Sequence, residues 1–234
     1  MTQQPQNTIQ ATAKTIVSPS DLPDYKAVLW DMDGTLVHSD PVHAICVSQI
    51  GDEMGLPTSN ELAWSVLGVS HQYAYDQLTK HFGALPLTFE QWVARESELY
   101  IEKVAQIDPR ENVVDVIRAI NKRGIKQAIF SNNPRQFIDA TTKGFLRFFD
   151  NPDDIFLTVI SLDDVPAKPD PTGYLLAAER LGVKPEECLV MEDSPTGSAA
   201  GVAAGCFTIY WPGPHDKPLK VQPSLIVGNL DFLL

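Results

Sequence analysis

Val28-Leu29-Trp30-Asp31-Met32-Asp33-Gly34-Thr35-Leu36-Val37 opens with an apolar run and then delivers two carboxylates, two positions apart, into a turn that Gly34 permits. Further runs of the same kind follow at Ile125 to Phe130, Phe156 to Ile160, Cys188 to Met191, Phe207 to Trp211 and Leu225 to Val227, and the first of the series begins at Ala27. Near-continuous β-rich runs separated by amphipathic stretches indicate a parallel sheet buried on both faces. The fold class is therefore α/β, a doubly wound parallel sheet of Rossmann-like form.

One stretch breaks the alternation. Between Pro41 and Ile107 only helical patterns occur. Thr88 with Gln91 makes a capping box before the apolar positions Phe89, Trp92, Val93, Leu99, Tyr100 and Val104. Ser59 or Asn60 is expected to cap another helix, and Val42 to Met54 to form a third. The expected organisation is a flexible tail over 1–24, a core over 25–40 and 108–234, and an inserted helical cap domain over 41–107.

Asp40-Pro41, Asn133-Pro134, Asp170-Pro171 and Ser194-Pro195 each pair an N-cap residue with proline at the expected first helical position. Several helix N-termini are thus expected near one crevice at the carboxyl ends of the strands, where open parallel sheets bind ligands and where anions are favoured.

Two neighbouring carboxylates at a sheet mouth repel each other unless a cation lies between them. A second acid pair, Glu192-Asp193, ends the run Leu189-Val190-Met191 and is followed by a stretch of Ala, Gly and Ser that can pack very close to the sheet. Carboxylate oxygens select a hard cation, and Mg2+ suits a couple of carboxylates completed by phosphate and water. Ser131, after Ala128-Ile129-Phe130, offers a hydroxyl and a loop amide to a phosphate oxygen. Lys168, between Ala167 and Pro169, offers a fixed cation.

Asp-x-Asp-Gly-Thr, Ser-Asn, Lys-Pro-Asp-Pro and Glu-Asp-Ser, in that order from Ala27 to Trp211, resemble the haloacid-dehalogenase superfamily. The similarity is to the branch of β-phosphoglucomutases and phosphoglycolate phosphatases with a helical cap after the first strand. The resemblance implies that Asp31 is nucleophile and metal ligand. It implies that Asp33 protonates the leaving alcohol, then activates water, and lends its carbonyl to the metal. Ser131 and Lys168 would hold the phosphoryl group, Glu192 and Asp193 would complete a magnesium shell, and Gly34, Thr35, His43, His71 and Asn132 would contact substrate.

Asp33 favours phosphate esters, because family members that cleave carbon–halogen or carbon–phosphorus bonds lack an acid there. In the mutases a basic residue stands on each side of a Gly-Val-Ser-like turn and grips a second phosphate. The matching stretch here is Leu67-Gly68-Val69-Ser70-His71, with leucine and histidine in the basic positions. The sequence thus reads as a phosphatase of small phosphomonoesters, with a phosphosugar mutase and a non-catalytic binding protein as alternatives. Pro214-His215-Asp216-Lys217-Pro218 resembles a segment of bacterial phosphatases that act on 6-phosphogluconate and related sugar phosphates.

Composition fits that reading. A net charge of −12 argues against a nucleic-acid partner, whose phosphates demand a basic face. A hydrophobic fraction of 44% contains no apolar run of the roughly 20 residues a bilayer requires, so a membrane is no expected partner. The expected partner is a small phosphorylated metabolite. Cys46, Cys188 and Cys206 have no metal spacing, and Met1 to Asp24 has neither the apolar core of a secretory leader nor the arginines of a transit peptide, so the expected compartment is the cytoplasm.

Overall fold

The computed structural model describes residues 18–66, 71–213 and 218–234, and its centre is the strand quoted first. β1 (Ala27–Trp30) lies between β2 (Lys126–Phe130) and β4 (Cys188–Glu192). β3 (Thr158–Ile160) flanks β2, and β5 (Phe207–Tyr210) and β6 (Leu225–Ile226) extend the other side, giving the order β3-β2-β1-β4-β5-β6. All five pairings are parallel, and Leu29 sits between Ala128 and Val190 in register.

Side chains alternate across this sheet, as the two-residue period of a strand requires. Val28 and Trp30 enter one apolar cluster, whereas Ala27 and Leu29 enter another on the opposite face. Both faces are covered by apolar clusters, which is why the strands read as near-continuous apolar runs rather than alternating ones. Trp30 is fully buried, and its indole N–H donates to Gln127 Oε1 at 3.0 Å. Its truncation to alanine would cost about 3–5 kcal/mol.

Four helices follow the first strand: α1 (Asp40–Glu53), α2 (Asn60–Ser65), α3 (His71–Phe82) and α4 (Phe89–Val104). Among the described residues no strand interrupts them. The Thr88–Gln91 capping box forms as expected, with both reciprocal bonds present, and Ser59 Oγ accepts from Leu62 N at 3.2 Å. Beyond them come α5 (Val113–Lys122), α6 (Arg135–Leu146), α7 (Thr172–Leu181) and α8 (Pro195–Ala203), which alternate with the remaining strands. No helix of the described residues is long and apolar enough to cross a membrane.

The four cap-and-proline pairs do not behave alike. Only Ser194 is an N-cap of the expected form, accepting from Gly197 N at 3.0 Å with Pro195 in the first helical position. Asp40 is itself helical, after a Ser39 N-cap that makes no side-chain bond. Pro134 and Pro171 stand one position earlier than expected, as N-caps of α6 and α7. Asn133 is thereby free to turn its amide toward Asp33, 2.8 Å away.

The chain passes from the sheet to the four helices and back along two adjacent segments. Val37 bridges to Pro109, His38 N donates to Asp108 O at 3.1 Å, and Arg110 N donates to Leu36 O at 2.9 Å.

Candidate active site

The carboxyl ends of β1, β2 and β4 bring the singled-out acids and Lys168 together. Asp31 immediately follows β1, and its N–H donates to Met191 O of β4 at 3.0 Å. Lys168 reaches in from the loop before α7. Its ammonium donates to Asp31 Oδ1 at 2.5 Å, Glu192 Oε1 at 2.7 Å and Phe130 O at 2.9 Å. An ammonium has three hydrogens, so all its donors are committed. The rings of Phe130 and Tyr174 face the same charge, 4.8 and 5.2 Å away. Burial works against the charged lysine, but Asp31 and Glu192 outweigh it and raise its pKa.

The acids are differently placed. Burial pushes the Asp31 carboxyl well above its ordinary range, the Glu192 charge adds to this, and Lys168 opposes it. Asp193 is pushed up to about 7, first by burial and then by Glu192, with Arg110 and Lys168 pulling the other way. Glu192 is the most heavily held: Tyr174 OH donates to Oε1 at 2.6 Å and Ser194 Oγ to Oε2 at 3.0 Å, besides Lys168. Oxygens of Asp31, Glu192 and Asp193 lie within 4.8 Å of one another.

A divalent cation fits this set. The donors are all carboxylate oxygens grouped within 4.8 Å, three acids served by the single ammonium of Lys168.

Asp33 stands apart from that cluster. Ser131 Oγ and Asn133 Nδ2 both donate to its Oδ2, at 3.2 and 2.8 Å, and its Oδ1 is buried without a protein partner. It lines a cleft of about 530 Å³ that separates the sheet edge from the helices. Asp31, Ser131, Asn132 and Lys168 line the sheet side, and His43 (α1), His71 (α3), Trp92 and Glu96 (α4) line the other.

The expected substrate contacts divide accordingly. Asn132 lines the cleft while its Oδ1 accepts from Lys168 N at 2.8 Å. His43 and His71 line it too, on either side of Glu96. Gly34 and Thr35 do not face the cleft but lie beneath Asp193. Thr35 is fully buried with Oγ1 3.5 Å from Asp193 Oδ1, and a Cβ on Gly34 would fall 2.0 Å from Asp193 Oδ2. Gly34 also has φ +80°, which favours glycine on conformational grounds. Leu67 to Ser70 and Pro214 to Lys217, which carried expectations about substrate, lie outside the described residues.

Sequence reasoning missed four residues here. Glu96 had a readable signal, an acid four positions from Trp92 and four from Tyr100 on the apolar stripe of α4. Asn133 was read as a helix cap, and Tyr174 had no signal beyond its helix. Arg110 had none either, yet it is buried, donates to Gly34 O, Trp211 O and Pro212 O at 2.6–2.8 Å, and stacks on the Trp211 ring at 3.4 Å.

Fold and site together define an α/β enzyme whose acids and one buried lysine meet at the carboxyl edge of a parallel sheet. The haloacid dehalogenase-like hydrolase family model matches residues 25–205. The chain is 29% identical over 208 residues to hexitol phosphatase A of Escherichia coli, covering 88% of this chain and 92% of that protein. It is 33% identical over 220 residues to a phosphoglycolate phosphatase of Thiobacillus denitrificans, covering 88% and 94%. A solved haloacid-dehalogenase family hydrolase of Deinococcus radiodurans, with bound phosphate and sodium, superposes with a TM-score of 0.66 at 26% identity, covering 88% of this chain and 91% of that one. The chain belongs to the haloacid dehalogenase-like hydrolases, and its class is that of the phosphoric monoester hydrolases.

Proposed function

We propose that this chain is a magnesium-dependent phosphatase that hydrolyses small phosphorylated sugars or phospho-hydroxy acids through an aspartyl phosphate on Asp31. The observation that carries the proposal is the separation of two aspartates only two positions apart. Asp31 is drawn to Lys168 beside Glu192 and Asp193, and Asp33 is drawn to Ser131 and Asn133 with one oxygen left unpaired at the cleft. One is placed to attack, the other to move a proton.

An Asp31 oxygen attacks phosphorus as the bond to the leaving oxygen breaks, and protonated Asp33 gives that oxygen its proton. Asp33, now a carboxylate, takes a proton from water, whose oxygen attacks phosphorus and returns Asp31 with inorganic phosphate. A carboxylate nucleophile divides one difficult displacement into two easier ones. Lys168 holds Asp31 in place and opposes charge building on the phosphoryl oxygens, while Asn132 offers donors beside it and the Ser131 hydroxyl would turn from Asp33 to a phosphoryl oxygen. Mg2+ would be held by the Asp31 and Asp193 carboxylates and the Asp33 carbonyl, with Glu192 in reach, and would supply positive charge to the phosphoryl oxygens.

The phosphatase names of the relatives and the bound phosphate of the structural neighbour support this reading. The reading takes residues 25–40 and 108–234 as a core and 41–107 as a cap, and the cleft lined by both sets of residues suits that division. The test is phosphate release from p-nitrophenyl phosphate. Chelator should abolish it, Mg2+ should restore it, and Ca2+, which prefers more ligands at longer distances, should not. Full activity in excess chelator would overturn the metal-dependent mechanism.

A further inference from the structure

We infer that Glu96, held between His43 and His71 across the cleft from Asp31, makes the helical wall a subsite for an uncharged polyhydroxyl leaving group and turns away substrates with a second anion at their far end. This deepens the phosphatase reading, choosing its phosphorylated sugars over its phospho-hydroxy acids, and rests on it.

Glu96 comes from the middle of α4 and is only 2% exposed, yet it lines the cleft. Its Oε1 is 2.7 Å from His43 Nδ1, and the His43 ring is fixed by stacking on Tyr100 with centroids 4.4 Å apart. Its Oε2 lies 3.6 Å from His71 Nε2 and is hydrogen-bonded to no protein atom. Burial favours the neutral acid, but the two histidines prevail and hold the Glu96 pKa down to about 2, so the carboxylate is charged at every working pH. His43 in turn holds its proton more tightly than a free histidine; burial opposes this, and Glu96, with Asp33 and Asp40, overcomes it.

The remaining charges of the cleft point the same way. Asp31, Asp33, Asp40 and Asp193 line it with Glu96, and among the described residues Lys168 is its only lysine or arginine. Lys168 has no donor to spare. A carboxylate or second phosphate at the helical wall would therefore meet Glu96 with no cation beyond the two histidines already turned toward that carboxylate. Like charges juxtaposed in this way select strongly against a ligand. A hydroxyl suits the wall, because it both donates and accepts. Glu96 Oε2 is an unused acceptor, and Trp92, which lines the same cleft one helical turn away, has an indole N–H without a protein partner. An unpaired donor and an unpaired acceptor, both buried, favour the substrate that pairs them.

The experiment measures kcat/KM of the full chain with Mg2+ for glucitol phosphate, phosphoglycolate and a hexose bisphosphate, with p-nitrophenyl phosphate alongside. Wild type should prefer the hexitol ester over either anionic-tailed substrate by about tenfold or more. Glu96→Gln should narrow that ratio by about fivefold or more, chiefly by lowering KM for phosphoglycolate. A merely structural loss would depress all substrates together and leave the ratio alone. Trp92→Phe keeps the ring and removes the N–H. It should narrow the ratio from the other side by weakening the hexitol ester, and it tests the subsite even if Glu96→Gln folds poorly. Preference of wild type for phosphoglycolate or the bisphosphate, or a ratio unmoved by the folded variants, overturns the inference. If no ester is cleaved, p-nitrophenyl phosphate included, the phosphatase reading itself fails and takes the inference with it.

Discussion

Gly197→Ala should damage both stability and turnover, although residue 197 touches no substrate in the mechanism. A Cβ there would lie 1.8, 1.9 and 2.0 Å from Oε1, Cδ and Oε2 of Glu192. Ordinary contact begins near 3.5 Å, so the carboxylate would have to retreat by about 1.5 Å. It has nowhere to go without breaking its bonds to Lys168, Tyr174 and Ser194, at 2.7, 2.6 and 3.0 Å. Overpacking alone costs about 1–3 kcal/mol, and breaking a buried ion pair about 3–5 kcal/mol. Since the two share one displacement, about 3–5 kcal/mol is expected for the whole. For a chain of this size each kcal/mol lowers Tm by about 2–4 °C, giving a fall of about 6–20 °C. With Lys168 released from one of its two carboxylates, kcat should drop about tenfold or more. Gly228→Ala, whose Cβ would meet nothing within 4 Å, is the control. Thermal melts and phosphate release from the two variants decide the matter. A Gly197→Ala protein that melts within about 1 °C of wild type and turns over normally would show that the Glu192 carboxylate is not pinned against α8.

Asp31→Asn should fold and bind Mg2+ weakly, with kcat below about one-hundredth of wild type; a faster variant, checked for contamination, removes Asp31 as nucleophile. The metal-free protein should lose stability as pH rises from about 4 to about 7. Asp193 is pushed from the ordinary 3.8 to about 7, so the folded state binds its proton more tightly over that interval, and the resulting stability is present at low pH and lost through the folded value. Melts in chelator should show the decline, and Asp193→Asn should lessen it, with the raised Asp31 keeping part; a Tm rising across the interval contradicts the burial of these acids. β-glucose 1-phosphate should yield glucose and inorganic phosphate, with little glucose 6-phosphate even when primed with a bisphosphate, because Glu96 stands where a second phosphate would need a cation. Coupled detection of glucose 6-phosphate outpacing free phosphate would make the chain a mutase.

The sheet was legible because it is buried on both sides. Each strand carries a mostly apolar run, broken by Lys126 and Gln127 in β2 and by Thr158 and Thr208 in β3 and β5, and all six proposed runs contain strands, although β6 keeps only two residues. The acids were legible for the same reason, since a charge after such a run can only be at its end. The Thr88 capping box was legible because both partners are local in sequence. What escaped are contacts made across the fold. Arg110 donates to carbonyls of Gly34 and Trp211, neither of which leaves a trace in side-chain chemistry. Tyr174 finds Glu192 only because α7 packs across β3, β2 and β1, and its ring reaches past β1 to the end of β4. The division of labour between Asn132 and Asn133, one on Lys168 and one on Asp33, depends on α6 beginning one position later than the Asn-Pro pair suggests. Gly34 and Thr35 share a motif with the acids, and that proximity in sequence disguised their place below the cleft.

The paired crossing of residues 36–38 with 108–110 is a mechanical joint as well as a link. Its two sides are stitched by backbone bonds at His38 and Arg110, and Arg110 is riveted to the loop after Asp33 and to the end of β5. If the four helices swing as a body to admit a substrate, the rotation must be absorbed above this seam, next to Ser39 and Asp108. α4 also packs on α6, where Tyr100 OH lies 3.0 Å from Thr141 Oγ1, so that contact has to slide as the helices turn. Asp31 and Asp33 would keep their spacing while the wall carrying Glu96 moves, so one half of the cleft acts as a fixed anvil and the other as a gauge that measures what is brought to it.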